Sequence, residues 1–112
     1  MIKREDLDTT DFSDVSDGET LKPVTPGEVL ASFLEDYEIT PYRLAKDTGM
    51  APTRPGEIIN KGRAITADTA LRLGKYFGNK PAFWMSLQSQ YDTESVIIII
   101  GDELENIKTI AS

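Results

Sequence analysis

The side chains of this chain with chemistry to offer are its cations. Eight of them fall between Arg43 and Lys80: Arg43, Lys46, Arg54, Lys61, Arg63, Arg72, Lys75 and Lys80. Only Asp47, Glu57 and Asp68 oppose them, a net +5. The rest of the 112-residue chain holds four basic and sixteen acidic residues, a net −12. The overall charge of −7 therefore hides a basic middle between two acidic ends. Such a middle suits a polyanion, and the acidic ends suit a basic partner. Covalent chemistry has little to work with. Cysteine and histidine are both absent, which excludes disulfides, Cys/His zinc or haem sites, Cys–His and Ser–His nucleophile pairs, and a histidine proton shuttle. There is no phosphate-cradling glycine loop and no metal-ligand spacing, so no enzyme, cofactor or metal site is expected.

Hydrophobic residues make up 39% and charged residues 28% of the chain, which fits one soluble globular domain. The longest apolar run, Val96 to Ile100, is far below a membrane span, and no charged-then-apolar leader is visible. A reducing cytoplasm is the expected location, with no membrane partner.

Helical elements must position the cations. Residues 1–24 are acidic with single scattered apolar residues, and are expected to be disordered alone. Thr25-Pro26-Gly27-Glu28 is a helix start: Thr25 caps, Pro26 suits the first position, and Glu28 completes a capping box. Val29, Leu30, Phe33, Leu34 and Tyr37 follow on one face. Thr40-Pro41 repeats the signal for a short helix with Leu44 and Ala45 buried, ended by Gly49. A third helix must lie between Ala51 and Asn60, and Lys61-Gly62-Arg63 forms a turn. Thr66 caps a fourth, with Ala70, Leu71, Gly74 and Phe77 inward. Pro81 opens a fifth, with Phe83, Trp84, Leu87 and Tyr91 inward. Ser95 to Ile100 is β-branched enough for a strand. Yet Ile97, Ile100, Leu104, Ile107 and Ala111 are spaced as a heptad seam. A helix bent near Gly101 is favoured, with a second subunit covering its spare isoleucines.

Short helix, glycine turn and second helix form a helix-turn-helix pattern, here carried by Leu44-Ala45, Gly49 and Ile58. A wider string supports it: Pro26-Gly27-Glu28-Val29-Leu30, Tyr42-Arg43-Leu44-Ala45-Lys46, Gly62 through Leu73, Tyr76-Phe77-Gly78, Phe83 through Gln88, and Tyr91-Asp92. Over residues 26–92 the chain resembles the HigA-type antitoxins, a branch of the XRE/Cro-repressor-like helix-turn-helix proteins. The resemblance implies an all-α, five-helix Cro/lambda-repressor-like domain over residues 25–92, and the heptad spacing beyond it makes 93–112 a helical extension expected to dimerise. It further implies a homodimer that represses its own operon on a palindromic operator. The implied partner is a HigB-type toxin, a small basic ribonuclease acting on messenger RNA at the ribosome.

By matching position, the resemblance places Pro52, Thr53 and Glu57 toward DNA bases. It places Tyr42, Arg54, Asn60, Lys61, Arg63 and Thr66 toward the phosphate backbone. Trp84 and Tyr91 are expected in the core or, with Ile97, Ile100, Leu104 and Ile107, in the dimer interface. The toxin would meet acidic surfaces, either residues 1–24 including Phe12 and Val15, or helix one with Glu28, Glu35 and Asp36. The departure from the family pattern is Pro55-Gly56, where an aliphatic residue followed by a polar one is usual. A proline and a glycine there predict a short or irregular front to the recognition helix and weakened operator reading. Two further readings stand beside the first. One is a stand-alone or phage-type repressor without a toxin. The other is an antitoxin that keeps its toxin but has lost its operator.

Overall fold

The computed structural model describes residues 23–110. Five helices follow one another: α1 Pro26–Tyr37, α2 Pro41–Thr48, α3 Arg54–Lys61, α4 Ala67–Phe77 and α5 Pro81–Glu105. No strand occurs among the described residues, and the segment 95–100 is helical. Phe12 and Val15 lie outside the described residues.

The start signals act as the side-chain chemistry requires. Glu28 N donates to Thr25 Oγ1 at 3.0 Å, and Thr25 N donates back to Glu28 Oε1 at 3.4 Å, closing the capping box. Thr40 Oγ1 accepts from Arg43 N at 3.1 Å at the head of α2. Gly49 then turns the chain at φ 77°, a left-handed angle that costs glycine least.

Pro55 overturns one expectation. It is the second residue of α3, where its missing N–H is one of the donors a helix leaves unpaired anyway. Its ring is buried, so it occupies the apolar slot itself. The front of α3 is regular, with Glu57 N donating to Thr53 O at 3.0 Å. The helix is short, at eight residues, but it is not broken.

The core gathers Leu30 and Leu34 of α1, Leu44 and Ala45 of α2, Ile58 of α3, Ala70 and Leu73 of α4 and Trp84 of α5, with Met50 and Ile65 from the turns. Leu71 was expected inward but is 59% exposed, and Leu73 takes its place. Tyr37 and Phe83, also expected inward, are largely exposed while still touching the aromatic cluster. Gly27 is a packing glycine: a Cβ there would strike the backbone carbonyl oxygen of Ile58, so it sets the approach of α1 to α3.

Trp84 corrects the interface assignment. It is 0% exposed within a single chain and so has no surface to offer a partner. Its ring meets Phe33 and Phe83 edge-on at 5.0 and 5.1 Å, and its Nε1 donates to Asn79 Oδ1 at 2.9 Å. Farther along, α5 leaves helical angles at Ile100 (φ −112°, ψ 15°), one residue before the expected bend at Gly101. The helix ends at Glu105, so Ile107 sits in the following turn rather than on a continued heptad seam.

Candidate nucleic-acid interface

Every arginine between residues 43 and 80 is ion-paired inside the chain. Arg43 meets Asp47 at 3.2 Å, Arg54 meets Asp68 at 2.8 Å, Arg63 meets Glu57 at 2.7 Å and Arg72 meets Asp68 at 2.7 Å. The lysines of the same stretch, Lys46, Lys61, Lys75 and Lys80, have no ion partner among the described residues. All four are exposed. The three acids therefore consume arginines and leave lysines for an outside polyanion.

Two of these acids build a brace. Asp68 accepts from both Arg72 and Arg54, and these two guanidinium groups hold its carboxyl down at about 2. Arg72 Nη1 also donates to Thr48 O at 2.7 Å, satisfying a carbonyl at the C-terminal end of α2. Arg54 Nη1 reaches Thr69 Oγ1 at 3.3 Å. One acid on α4 thus ties the end of α2 and the start of α3 to the same point. Asp47 is held below its usual range by the Tyr76 hydroxyl, donating at 2.6 Å, and then by Arg43. The same bond raises the Tyr76 phenol. It ties α2 to α4 a second time. The result is a pair of helices about Gly49 that are cross-tied through α4.

The predicted site residues fall into distinct places on this frame. Arg54 is corrected: its side chain is only 19% exposed and pinned to Asp68, so it belongs to the brace rather than to a phosphate-facing row. Thr66 caps α4, accepting from Thr69 N at 3.4 Å. Tyr42 projects from the first turn of α2, exposed, with no hydrogen-bond or ring partner among the described residues. Pro52 and Thr53 are exposed at the mouth of α3, and Asn60 and Lys61 are exposed at its end. Glu57 and Arg63 are brought together by the Gly62 turn, where Arg63 N also donates to Glu57 O at 3.1 Å. Residue-type reasoning missed Asp68 and Arg72. Their i, i+4 spacing was a usable signal, while the reach of Arg54 across fourteen residues was not.

The apolar and acidic candidates lie elsewhere. Ile97 and Leu104 are exposed and Ile100 half-buried on the second half of α5, around a groove of 390 Å³ with Val96. Tyr91 is half-buried in a separate cleft of 270 Å³, beside Gly27, Ile59 and Arg63. Glu28 is engaged in its capping box, and Glu35 and Asp36 are exposed on α1. Among the described residues there is no acidic or Cys/His group that could hold a metal ion, and no helix is long and apolar enough to cross a membrane.

A braced two-helix unit turning at Gly49 within five helices defines a helix-turn-helix domain. No family model matches the chain. It is 38% identical over 72 residues to Antitoxin HigA-1 of Vibrio cholerae, covering 63% of this chain and 68% of that protein. Among solved structures, an addiction module antidote protein of a HigA family from Coxiella burnetii superposes with a TM-score of 0.74 at 40% identity. That match covers 80% of this chain and 98% of that one. The Pseudomonas aeruginosa antitoxin HigA, solved with the higBA promoter, gives a TM-score of 0.73 at 36% identity, over 79% and 98%. The chain belongs to the HigA family of helix-turn-helix antitoxins.

Proposed function

We propose that this protein is a cytoplasmic antitoxin that binds its own operator as a homodimer, represses that operon, and neutralises a small basic HigB-type toxin by direct contact. The observation that carries the DNA half is the braced α2–α3 pair with its exposed, unpaired lysines, in a chain like one solved on its promoter. In this reading Thr53 and Glu57 meet base edges at the front of α3, while Tyr42, Asn60, Lys61 and Arg63 meet phosphates. Residues 25–92 form the DNA-binding domain. The segment 93–112 supplies the dimer contact through Ile97, Ile100 and Leu104, which places two recognition helices on a palindrome. The toxin meets the acidic surfaces, residues 1–24 or Glu35 and Asp36 on α1, where opposite charge speeds encounter.

The test is a titration of the full chain against a duplex from upstream of its own gene, with random-sequence duplex as competitor, across salt. Selective binding with a log–log salt slope near −5 to −7 is expected, for about six to eight phosphates neutralised. Lys61→Ala should shallow that slope by about 1 on either duplex. Equal binding of both duplexes would refute the operator role. The toxin half rests on the neighbouring open reading frame. A basic product that co-purifies with the chain supports it, and its absence points to a repressor that acts alone.

A further inference from the structure

Of the three acids among the basic residues, Asp68 accepts from two arginines and Asp47 from an arginine and a tyrosine. Glu57 has a single side-chain partner, Arg63, at 2.7 Å. It is also the one of the three that stands on α3. The two side chains are 46% and 37% exposed for Arg63 and Glu57, so both can be reached from outside. Their proximity does not depend on the ion pair. Gly62, at φ 72°, and the bond from Arg63 N to Glu57 O fold the turn back on its own.

We propose that Glu57 is a specificity-determining residue that withholds Arg63 from DNA until a base replaces it. This rests on the operator-binding reading above. On a duplex that offers Glu57 no donor, the carboxylate keeps the guanidinium, and the pair brings no net charge to the phosphates. On a duplex with a cytosine in reach, Glu57 accepts from the N4 amino group and releases Arg63 to a phosphate. One exchange then gains a base contact and a phosphate contact together. An exposed ion pair is weakly held in water, so the exchange costs little at the right sequence. At the wrong sequence there is nothing to drive it. The pair thus suppresses non-specific affinity, and its exchange adds the two contacts only at the right sequence.

The experiment uses the full chain, a random-sequence duplex and the duplex upstream of its own gene, with binding followed by fluorescence anisotropy across salt. Glu57→Gln frees Arg63 on every sequence. Its affinity for random duplex should rise by roughly three- to tenfold at low salt, with a slope steeper by about 1. Preference for the upstream duplex should fall by about tenfold. Arg63→Gln in the natural chain leaves Glu57 uncompensated, so random-duplex binding should fall modestly through the repulsion of one bare carboxylate, while the upstream duplex, which also loses a phosphate contact, should fall several-fold further. Combined with Glu57→Gln, it should cancel the non-specific gain. Arg63→Gln also stands by itself should Glu57→Gln disturb folding, as read by circular dichroism. A random-duplex slope unchanged in Glu57→Gln, or weakened equally on both duplexes by Arg63→Gln, overturns the proposal. Failure of the natural chain to bind either duplex overturns the operator reading beneath it.

Discussion

Ile58 and Ile65, in and just after α3, are each 2% exposed, whereas Ile98 and Ile99, on the later turns of α5, are 65% and 78% exposed. The residue type is the same and its transfer free energy is the same, worth about 1.5–3 kcal/mol for a full side chain. The surroundings differ. Ile58 is enclosed because Gly27 lets α1 press against α3, and Ile65 because the loop it sits on is tied down by Gln88, whose Oε1 accepts from Ile65 N at 2.7 Å. Past Tyr91, α5 runs beyond the other helices, and among the described residues no second layer buries its isoleucines. One half of the molecule is a closed domain. The other carries an apolar stripe that the described residues leave uncovered, and on the proposed reading a second chain closes it.

The largest blow to the closed half is Trp84→Ala. The side chain is fully buried among Phe33, Phe77 and Phe83, and such truncations cost about 3–5 kcal/mol. Against a typical total of about 5–15 kcal/mol, a urea titration should find the variant unfolded or barely folded. A loss under about 1 kcal/mol would mean that this half is not the closed unit described.

Ile97→Asp with Ile98→Asp asks the opposite question of the open half. Substitutions at uncovered surface positions usually change stability by less than about 0.5 kcal/mol. The doubly substituted chain should keep its helical circular dichroism while its mass by analytical ultracentrifugation falls from dimer to monomer. A variant that stays dimeric would move the interface off α5.

Asp68→Asn tests the brace through pH. The folded carboxyl titrates at about 2, below its ordinary 3.8, because Arg72 and Arg54 donate to its ionised form. A depressed acid contributes stability above the unfolded value and loses it as pH falls through the folded one. The Tm gap between the natural chain and Asp68→Asn should therefore be full at neutral pH and close between about pH 4 and 2. A gap that ignores pH would show that the ion pairs hold nothing.

These contrasts also mark what the amino-acid sequence discloses. Caps are local, so Thr25, Thr40 and Thr66 and the turn glycines 49 and 62 declare their roles within four residues. Periodicity is coarser. Ala70, Gly74 and Phe77 define a face that admits either leucine beside it, and only the packing of the whole domain selects Leu73 over Leu71. Long-range pairing is silent. Nothing near Arg54 says that it will be spent on Asp68, which is why a residue expected to face phosphate instead locks the helices that carry the site. Pro55 misled for a related reason: its penalty depends on whether it stands at the second or fourth helical position, and that boundary is set by Thr53 and Ala51 turning the chain, not by the proline.

The smallest effect sharpens the comparison most directly, because one substitution can be made in both halves. Gly56 is the third residue of α3 and Gly101 lies in α5 just after its kink. At neither position would a Cβ find a heavy atom within 4 Å, and neither has a positive φ. Alanine therefore fits both, and in a helix it is favoured over glycine by up to about 1 kcal/mol. What differs is whether the local gain is coupled to global unfolding. α3 is packed on α1 and α2, so Gly56→Ala should raise the urea midpoint of the whole domain. The end of α5 is exposed and contributes nothing to the buried core, so it is expected to open locally, and elements that fray on their own contribute little to global stability. In the Ile97→Asp, Ile98→Asp background, where no partner covers α5, Gly101→Ala should leave the midpoint unchanged while slowing amide exchange locally around residue 101. Equal shifts in the midpoint would show that α5 folds as one piece with the domain to its last turn.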